Sequence, residues 1–534
     1  DGVLPAAENR GGVLRDEDRE ALERQQIFLA PHGMEQFHLE IQNLYAALAQ
    51  PTEKLTVSYP VSDGKGAEKR PSFVIGRIAR LLPSISVETE STDKEYRLSV
   101  KSTALEYAGE HIGGALWQYF EGRGDAERAL AAMKDASRYT RGHLSRDAVR
   151  ALYGGAVTLS ASRMDMARSC HFAYFMRYGL KARERTGAGF DAPQIGTFVH
   201  DVMEHTLRQA KECGGLHTLS KDKLHALVRA SIEEYIDRVL PDLCEKSARF
   251  RYLFNRLCAT VERIMDEVSE ELQSSDFEPL AFELEFGADG QLPAITIREE
   301  NGTARVVGKV DRVDGWLHDG KLYLRVVDYK TGKKSFDLAE LRYGLGLQML
   351  LYLFTLKEEG QMLFGGHEIV PAGVLYTPAR EPMLRCARDT EPEKIEKALK
   401  KELRRSGMVL EDPAVLQAME HSALESPCYL PLAVKRDGAV TGSLASAEQL
   451  GKLSKYVDHI LHEITQEVFA GNIDADPYAR TPQQSACTYC EFASACHFEN
   501  GCGSDRMEYI KATKNDEFWK YIDEVNGEGA HENG

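Results

Sequence analysis

The chain has 534 residues, 43% of them hydrophobic, and its 66 basic against 83 acidic residues give a net charge of −17. Such length and apolar content are enough to bury large cores in roughly two to four domains. The acidic balance excludes a broad electrostatic grip on nucleic acid or on an anionic membrane, so any polyanion has to be met at a local patch.

The sequence opens at Asp1, not methionine, and a fragment of a longer chain is expected. Residues 1–85 mix helix and strand signals and close with the loop DGKGAEKRPS and a short helix, IGRIARLL. Residues 86–150 are mostly helical, with apolar periodicity in ALEYAGEHIGGALWQYF and a polar joint at EGRGD, and form a connector. From 151 to 534 the pattern predicts an α/β core with a helical insertion. Helices are expected at 161–180 and 196–273, strands near 280–286, 294–298, 304–316 and 321–329, then a helix at 338–357. The longest apolar-rich run, LGLQMLLYLFTL (345–356), falls short of the ~20 residues of a membrane span. Basic stretches at 137–146, 249–256 and 400–405 read as solvated helix faces.

Charge interrupts the pattern at VVDYKTGKKS (326–335). Strand period two places Leu322, Leu324, Val326, Asp328 and Lys330 on one face, so an acid and a base share an apolar surface. The run 305–332 reads as two strands joined at HDG, a hairpin that brings Asp311 close to Asp328. Two carboxylates at the end of an apolar sheet repel unless a cation lies between them, and hard oxygen ligands suit Mg²⁺. Lys330 beside such an ion can orient and polarise an attacking water. The competing reading is a surface hairpin with an ion pair worth ~0–1 kcal/mol.

Ten cysteines are few for this length and unevenly placed, which suits a reducing cytoplasm with a metal site better than a disulfide framework. SACTYCEFASAC (485–496) supplies Cys487, Cys490 and Cys496, and Cys170 in ARSCHFAYFMRYGL is the candidate fourth thiolate. Spacing alone leaves structural zinc and an iron-sulfur cluster open. Cys502 is a competing ligand; Cys213, Cys244, Cys258, Cys386 and Cys428 read as ordinary thiols.

GKVDRVD (308–314), VVDYKTG (326–332) and Gln348 with Tyr352 resemble the RecB-type nucleases of the PD-(D/E)xK superfamily. The resemblance implies a restriction-endonuclease-like α/β core with large helical insertions. It implies metal ligation by Asp311, Asp328 and the Tyr329 carbonyl, with Lys330 as the catalytic lysine. Gln348 and Tyr352, i and i+4 on one helix face, would touch both DNA and the site. GTFVHDVME (196–204) resembles the family's glycine and histidine helix and nominates His200 as a further metal-site residue, with Glu204 one turn on. FELEFG (282–287) resembles a family strand carrying a glutamate; alignment on Phe286 and Gly287 favours Glu283 over Glu285. LSASRMDMARSCHFAYFMRYGL (159–180) resembles the opening segment of the superfamily's iron-sulfur nucleases, in which one cysteine precedes the core and three follow. That implies a [4Fe-4S] cluster on Cys170, Cys487, Cys490 and Cys496, stapling the nuclease domain of residues 151–534.

Residues 44–60 resemble the last motif of superfamily 1 helicases, with Gln50 where that motif has its arginine; this copy would be inactive as a motor. The chain lacks G-x4-G-K-[ST], since GKKS (332–335) belongs to the DYKTG turn. A helicase-like tail (1–85), a connector (86–150) and a cysteine-bracketed nuclease resemble, in that order, the C-terminal half of the B subunits of bacterial ATP-dependent helicase/deoxyribonucleases. The implied function is Mg²⁺-dependent exonuclease action on DNA ends in recombinational repair, with an A subunit as partner in the cytoplasm. The alternatives are a stand-alone iron-sulfur nuclease, which leaves residues 44–60 and the 86–150 connector unexplained, and a non-catalytic DNA-gripping module, which leaves Asp311, Asp328 and Lys330 without a purpose.

Overall fold

The computed structural model describes residues 14, 16–30, 34–61, 68–85, 97–138, 140–183, 192–241, 246–287, 290–332, 334–384, 386–387, 390–481 and 483–527. Cys244, the first residues, and much of the DGKGAEKRPS loop and of the start of the connector lie outside them. The chain divides into two units, Asp1–Ala131 and Ala132–Gly534.

The first unit is helical in its described residues, with helices Asp16–Arg24, Met34–Ala49, Phe73–Leu81, Lys101–Glu110 and Ala115–Phe120. Ser72 caps the third by accepting the Val74 N–H at 3.2 Å. Residues 51–60 run without a ladder partner, and nearly all of them are exposed. A strand needs a neighbour to take its backbone N–H and C=O groups, and the described residues of this unit offer none.

In the second unit, strands β1 (Ala156–Leu159), β2 (Glu278–Phe286), β3 (Ile295–Glu299), β4 (Gly302–Val306), β5 (Gly308–His318), β6 (Lys321–Lys330), β7 (Glu368–Pro378) and β8 (Ser406–Leu410) build two sheets. The larger runs β8-β7-β6-β5-β2, with Leu444–Ala445 added at the β8 edge; the smaller runs β1-β4-β3. The β5–β6 hairpin turns at Asp319 and Gly320, whose φ values of 48° and 76° are what a two-residue turn of the right twist requires. The strand expected at 304–316 is two strands. Val307 still donates to the Leu159 carbonyl at 2.9 Å in the small sheet, and Gly308 opens the pairing with Phe286 in the large one.

β6 and β7 are parallel, so a crossover must join them, and the helix Gln348–Glu359 lies within it. Every residue from Met349 to Leu356 is buried, which explains the long apolar run as a central helix packed on all sides. The helix expected at 338–357 breaks into Leu338–Arg342 and Gln348–Glu359, because Gly344 and Gly346 adopt φ of 73° and 68°. Likewise 196–273 resolves into Ala192–Glu212, Lys221–Val239 and Ala248–Gln273. These pack through Phe198, whose ring lies 4.9 Å from that of Tyr235 and 5.0 Å from that of Phe254. The helix Ala447–Ala470, opened by a Ser446–Gln449 capping box and closed at Gly471, buries Leu450, Leu453, Val457, Ile460, Leu461 and Ile464 at helical spacing. No helix among the described residues is long and apolar enough to cross a membrane.

Candidate metal site and cysteine-lined cavity

Register sets up the first site. Between the Phe282–Arg312 and Leu284–Val310 pairs Glu283 faces Asp311, and one step beyond the last β5–β6 pair, Arg312–Val327, Asp311 faces Asp328. Glu283, Asp311 and Asp328 thus form one row across three adjacent strands. Where the β5–β6 ladder stops, the Asp311 side chain takes the Tyr329 N–H at 2.9 Å. The Ala192–Glu212 helix lays His200 over this row. Its Nδ1 is 3.3 Å from Asp311 Oδ2 and 4.0 Å from Glu283 Oε1, and its Nε2 is 2.9 Å from the Tyr329 carbonyl. Among the described residues, His200, Glu283 and Asp311 are the group whose ligand atoms all lie within 4.8 Å of one another. Asp328 stands outside that set, with Lys330 Nζ 2.6 Å from its Oδ2. The ammonium of Lys330 also lies 5.8 Å from the centre of the Tyr376 ring.

The electrostatics show crowded acids. Burial, then the charge of Asp311, pushes Asp328 up to about 6 against the pull of Lys330. Burial raises Glu283 as well, opposed by Lys309. For His200 burial works against the cation, but Asp311, Asp328 and Glu283 outweigh it and lift the imidazole to about 9. Glu283 and Asp311 within 4.8 Å of the His200 imidazole, with Asp328 next in the row, form a donor set that a divalent cation fits. Tyr329 O and His200, both expected to serve one ion, are hydrogen-bonded to each other. Giving both to an ion requires the imidazole to shed that contact.

Glu283 rather than Glu285 turns into the site: its side chain is 12% exposed against 54% for Glu285. The turn comes from a backbone φ of 49°, in the left-handed region, in the middle of a strand. Glu204 is held by Arg208 at 2.8 Å and stays out of the set. Gln348 donates to the Tyr352 hydroxyl at 3.2 Å, and both line a groove of about 580 Å³ with Lys309, Glu285, Phe286 and Ser162. Gly308, the glycine of GKVDRVD, is required there, because a Cβ would lie 2.5 Å from the Phe286 ring and 2.6 Å from that of Tyr352.

The sequence reading missed what lies behind the row. Arg312 and Asp314, fully buried, point to the opposite face and join Arg325, Glu271 and Arg405 in a charge network. Arg312 donates to Asp314 at 2.9 Å and to the Tyr329 hydroxyl at 2.7 Å, Arg325 to Asp314 at 2.9 Å, and Arg405 to Glu271 at 2.6 Å. Tyr329 is therefore gripped by its phenol on one face while its backbone serves the acids on the other. Alternation in DRVD and the cross-strand Asp314–Arg325 pair were the available signals. Lys309, 2.6 Å from Glu283 Oε2, was also missed.

The second site is a cavity of about 570 Å³ lined by Cys170, Cys487, Cys490 and Cys496. Cys502 is exposed and not among its lining residues. Burial pushes the Cys170 thiol up to about 12; burial and the neighbouring sulfurs raise Cys487. Four thiols lining one cavity, three of them (Cys170, Cys487 and Cys496) shifted away from the thiolate by burial, are a donor set that fits a metal group. The surroundings are tied down: His171 N donates to Asp476 at 2.9 Å, Arg177 pairs with Glu491 at 2.8 Å, and Arg141 clamps Asp505 at 2.8 Å and the Cys496 carbonyl at 2.8 Å.

Residues 158–497 match the family model of the PD-(D/E)XK nuclease superfamily. Among curated proteins, the B subunit of the ATP-dependent helicase/deoxyribonuclease of Acetivibrio thermocellus is 31% identical, over 98% of this chain and 48% of the relative. The protein of that name from Ruminiclostridium cellulolyticum is 30% identical over 98% and 48%, and that from Thermoanaerobacter pseudethanolicus 29% over 99% and 48%. The chain spans about half the length of the curated relatives it matches.

Proposed function

The chain belongs to the PD-(D/E)XK nuclease superfamily, and on that premise we propose that it is the DNA-cleaving part of a helicase-nuclease assembly that resects double-strand ends for recombinational repair. The observation that carries the reading is the row of Glu283, Asp311 and Asp328 under His200, with Lys330 at its end. A divalent ion, Mg²⁺ by the hardness of the oxygen donors, would be held by Asp311, Asp328, Glu283, His200 and the Tyr329 carbonyl. Bound there, such an ion would supply neutralisation of the acids and a lowered pKa for a water that attacks a phosphodiester. Lys330 then orients that water and stabilises the charge that grows on the phosphoryl oxygens as the bond to the leaving sugar oxygen breaks. Gln348 and Tyr352, on the wall of the adjoining groove, position the strand.

The relatives' names support the helicase half of the proposal, and an A subunit carrying the working motor is the partner proposed. For the cysteines we take a [4Fe-4S] cluster rather than zinc, on the resemblance of residues 159–180 and of the C-x2-C-x5-C run to the iron-sulfur nucleases.

The test is cleavage of linear DNA with Mg²⁺. Asp328→Ala should abolish it, and Lys330→Ala should cut the rate by about 10² to 10³ while Mg²⁺ still binds. Cleavage that persists in Asp328→Ala, or that survives chelation, contradicts the assignment.

A further inference from the structure

We propose that Lys309 is a second phosphate-holding lysine of this site: it competes with the divalent ion for Glu283, and once the ion takes that carboxylate Lys309 passes to a phosphate of the DNA strand in the adjoining groove. The inference rests on the nuclease reading above and adds to it a residue that neither motif nor family assigns.

Strand alternation places Lys309 on the same face of β5 as Asp311, two residues away. Its Nζ is 2.6 Å from Glu283 Oε2 and 3.6 Å from Glu285 Oε1. The other oxygen of Glu283 faces His200 Nδ1 at 4.0 Å. One carboxylate is thus shared between the candidate ion position and a lysine. A divalent charge arriving beside it weakens the hold of Glu283 on the ammonium and repels the ammonium directly. The side chain of Lys309 is 48% exposed on a flexible stem, so it can swing, and the groove of about 580 Å³ that it lines opens alongside. Among the described residues lining that groove Lys309 is the cation; the rest are small, aromatic or neutral polar side chains and Glu285. In a chain of net charge −17 a DNA strand cannot lie there without a positive partner, and a charge-assisted contact from Lys309 supplies one. A merely cross-strand ion pair would leave DNA affinity where it was.

The two roles pull in opposite directions, and that is what the experiment reads. Mn²⁺ affinity is measured by calorimetry without DNA, and kcat and KM on single-stranded DNA with Mg²⁺, for the wild type, Lys309→Gln, Lys309→Arg and Asp328→Asn. Lys309→Gln should bind Mn²⁺ about three- to tenfold more tightly. Its KM for DNA should rise roughly tenfold and lose about one counterion of salt dependence. Lys309→Arg should restore the KM. If Lys309→Gln leaves Mn²⁺ affinity or KM unchanged, or weakens both, while Asp328→Asn is inactive, this inference fails and the nuclease reading stands. If Asp328→Asn is as active as the wild type, the nuclease reading fails and takes this inference with it.

Discussion

Glu283 holds a left-handed backbone in the middle of a strand, a conformation that costs a residue with a side chain on the order of 1 to 3 kcal/mol. In an ordinary strand Gly is less stable than Ala by roughly 0.5 to 1 kcal/mol. At this position the order should reverse, with Glu283→Gly about 1 kcal/mol more stable than Glu283→Ala by urea unfolding; Ala at or above Gly would show that the strand relaxes and that the strain is not real. The glutamate itself was legible from FELEFG, because alignment on Phe286 and Gly287 selects Glu283. Its strain was not, since an isolated positive φ leaves no mark on a residue other than glycine. Lys309 escaped for a related reason: its role depends on a partner one strand away, and period two shows which face a residue takes but not what stands across from it.

At the scale of elements, the paired strands β5 and β6 carry a network of charges buried behind them. Glu271 is the key acid: burial would raise it, but Arg405, Arg325 and Arg312 overcome that and hold it down at about 2, below its ordinary 4.5. A folded-state value below the unfolded one contributes stability above pH 4.5 that is lost as the pH falls through about 2. Glu271→Gln should therefore be destabilised at pH 7 by about 3 to 5 kcal/mol, since it strands buried arginines, and should lose less further stability than the wild type between pH 4.5 and 2. Asp328, shifted the opposite way, is common to both proteins and cancels. Parallel pH profiles in urea titrations would remove Glu271 from the account. The hairpin at HDG was legible because Asp-Gly accepts two successive positive φ values. The division of 304–316 into two strands was not, because the change of sheet at Val307 is set by the Leu159 carbonyl, far away in sequence. The basic run at 400–405, read as a solvated face, sends Arg405 into the core, where its distant partner Glu271 lies.

At the scale of the molecule, the two ends of the larger unit meet at the cysteine cavity: Cys170 precedes Cys487 by 317 residues. The spacing C-x2-C-x5-C announced the later three and asked for a fourth thiolate, for which Cys170 was the candidate; the resemblance to iron-sulfur nucleases added the bracketing order, one cysteine before the core and three after. Protein purified without oxygen should be brown, with iron and acid-labile sulfide. Cys170→Ala should lose the colour, melt at a lower temperature and exchange amide hydrogens faster around 484–505, while the strands of the large sheet stay protected. Arg141 and Arg177 hold the same segment through Asp505 and Glu491, so the loss is local and not global. Stoichiometric zinc without iron would overturn the cluster. The central claim is that the acids gathered under His200 hold a divalent ion, and anomalous diffraction from Mn²⁺-soaked crystals tests it most directly. A peak at about 2.0 to 2.4 Å from carboxylate oxygens of Asp311 and Asp328, gone in Asp311→Asn, is the result expected; no peak there at saturating Mn²⁺, or one that survives Asp311→Asn unchanged, contradicts it.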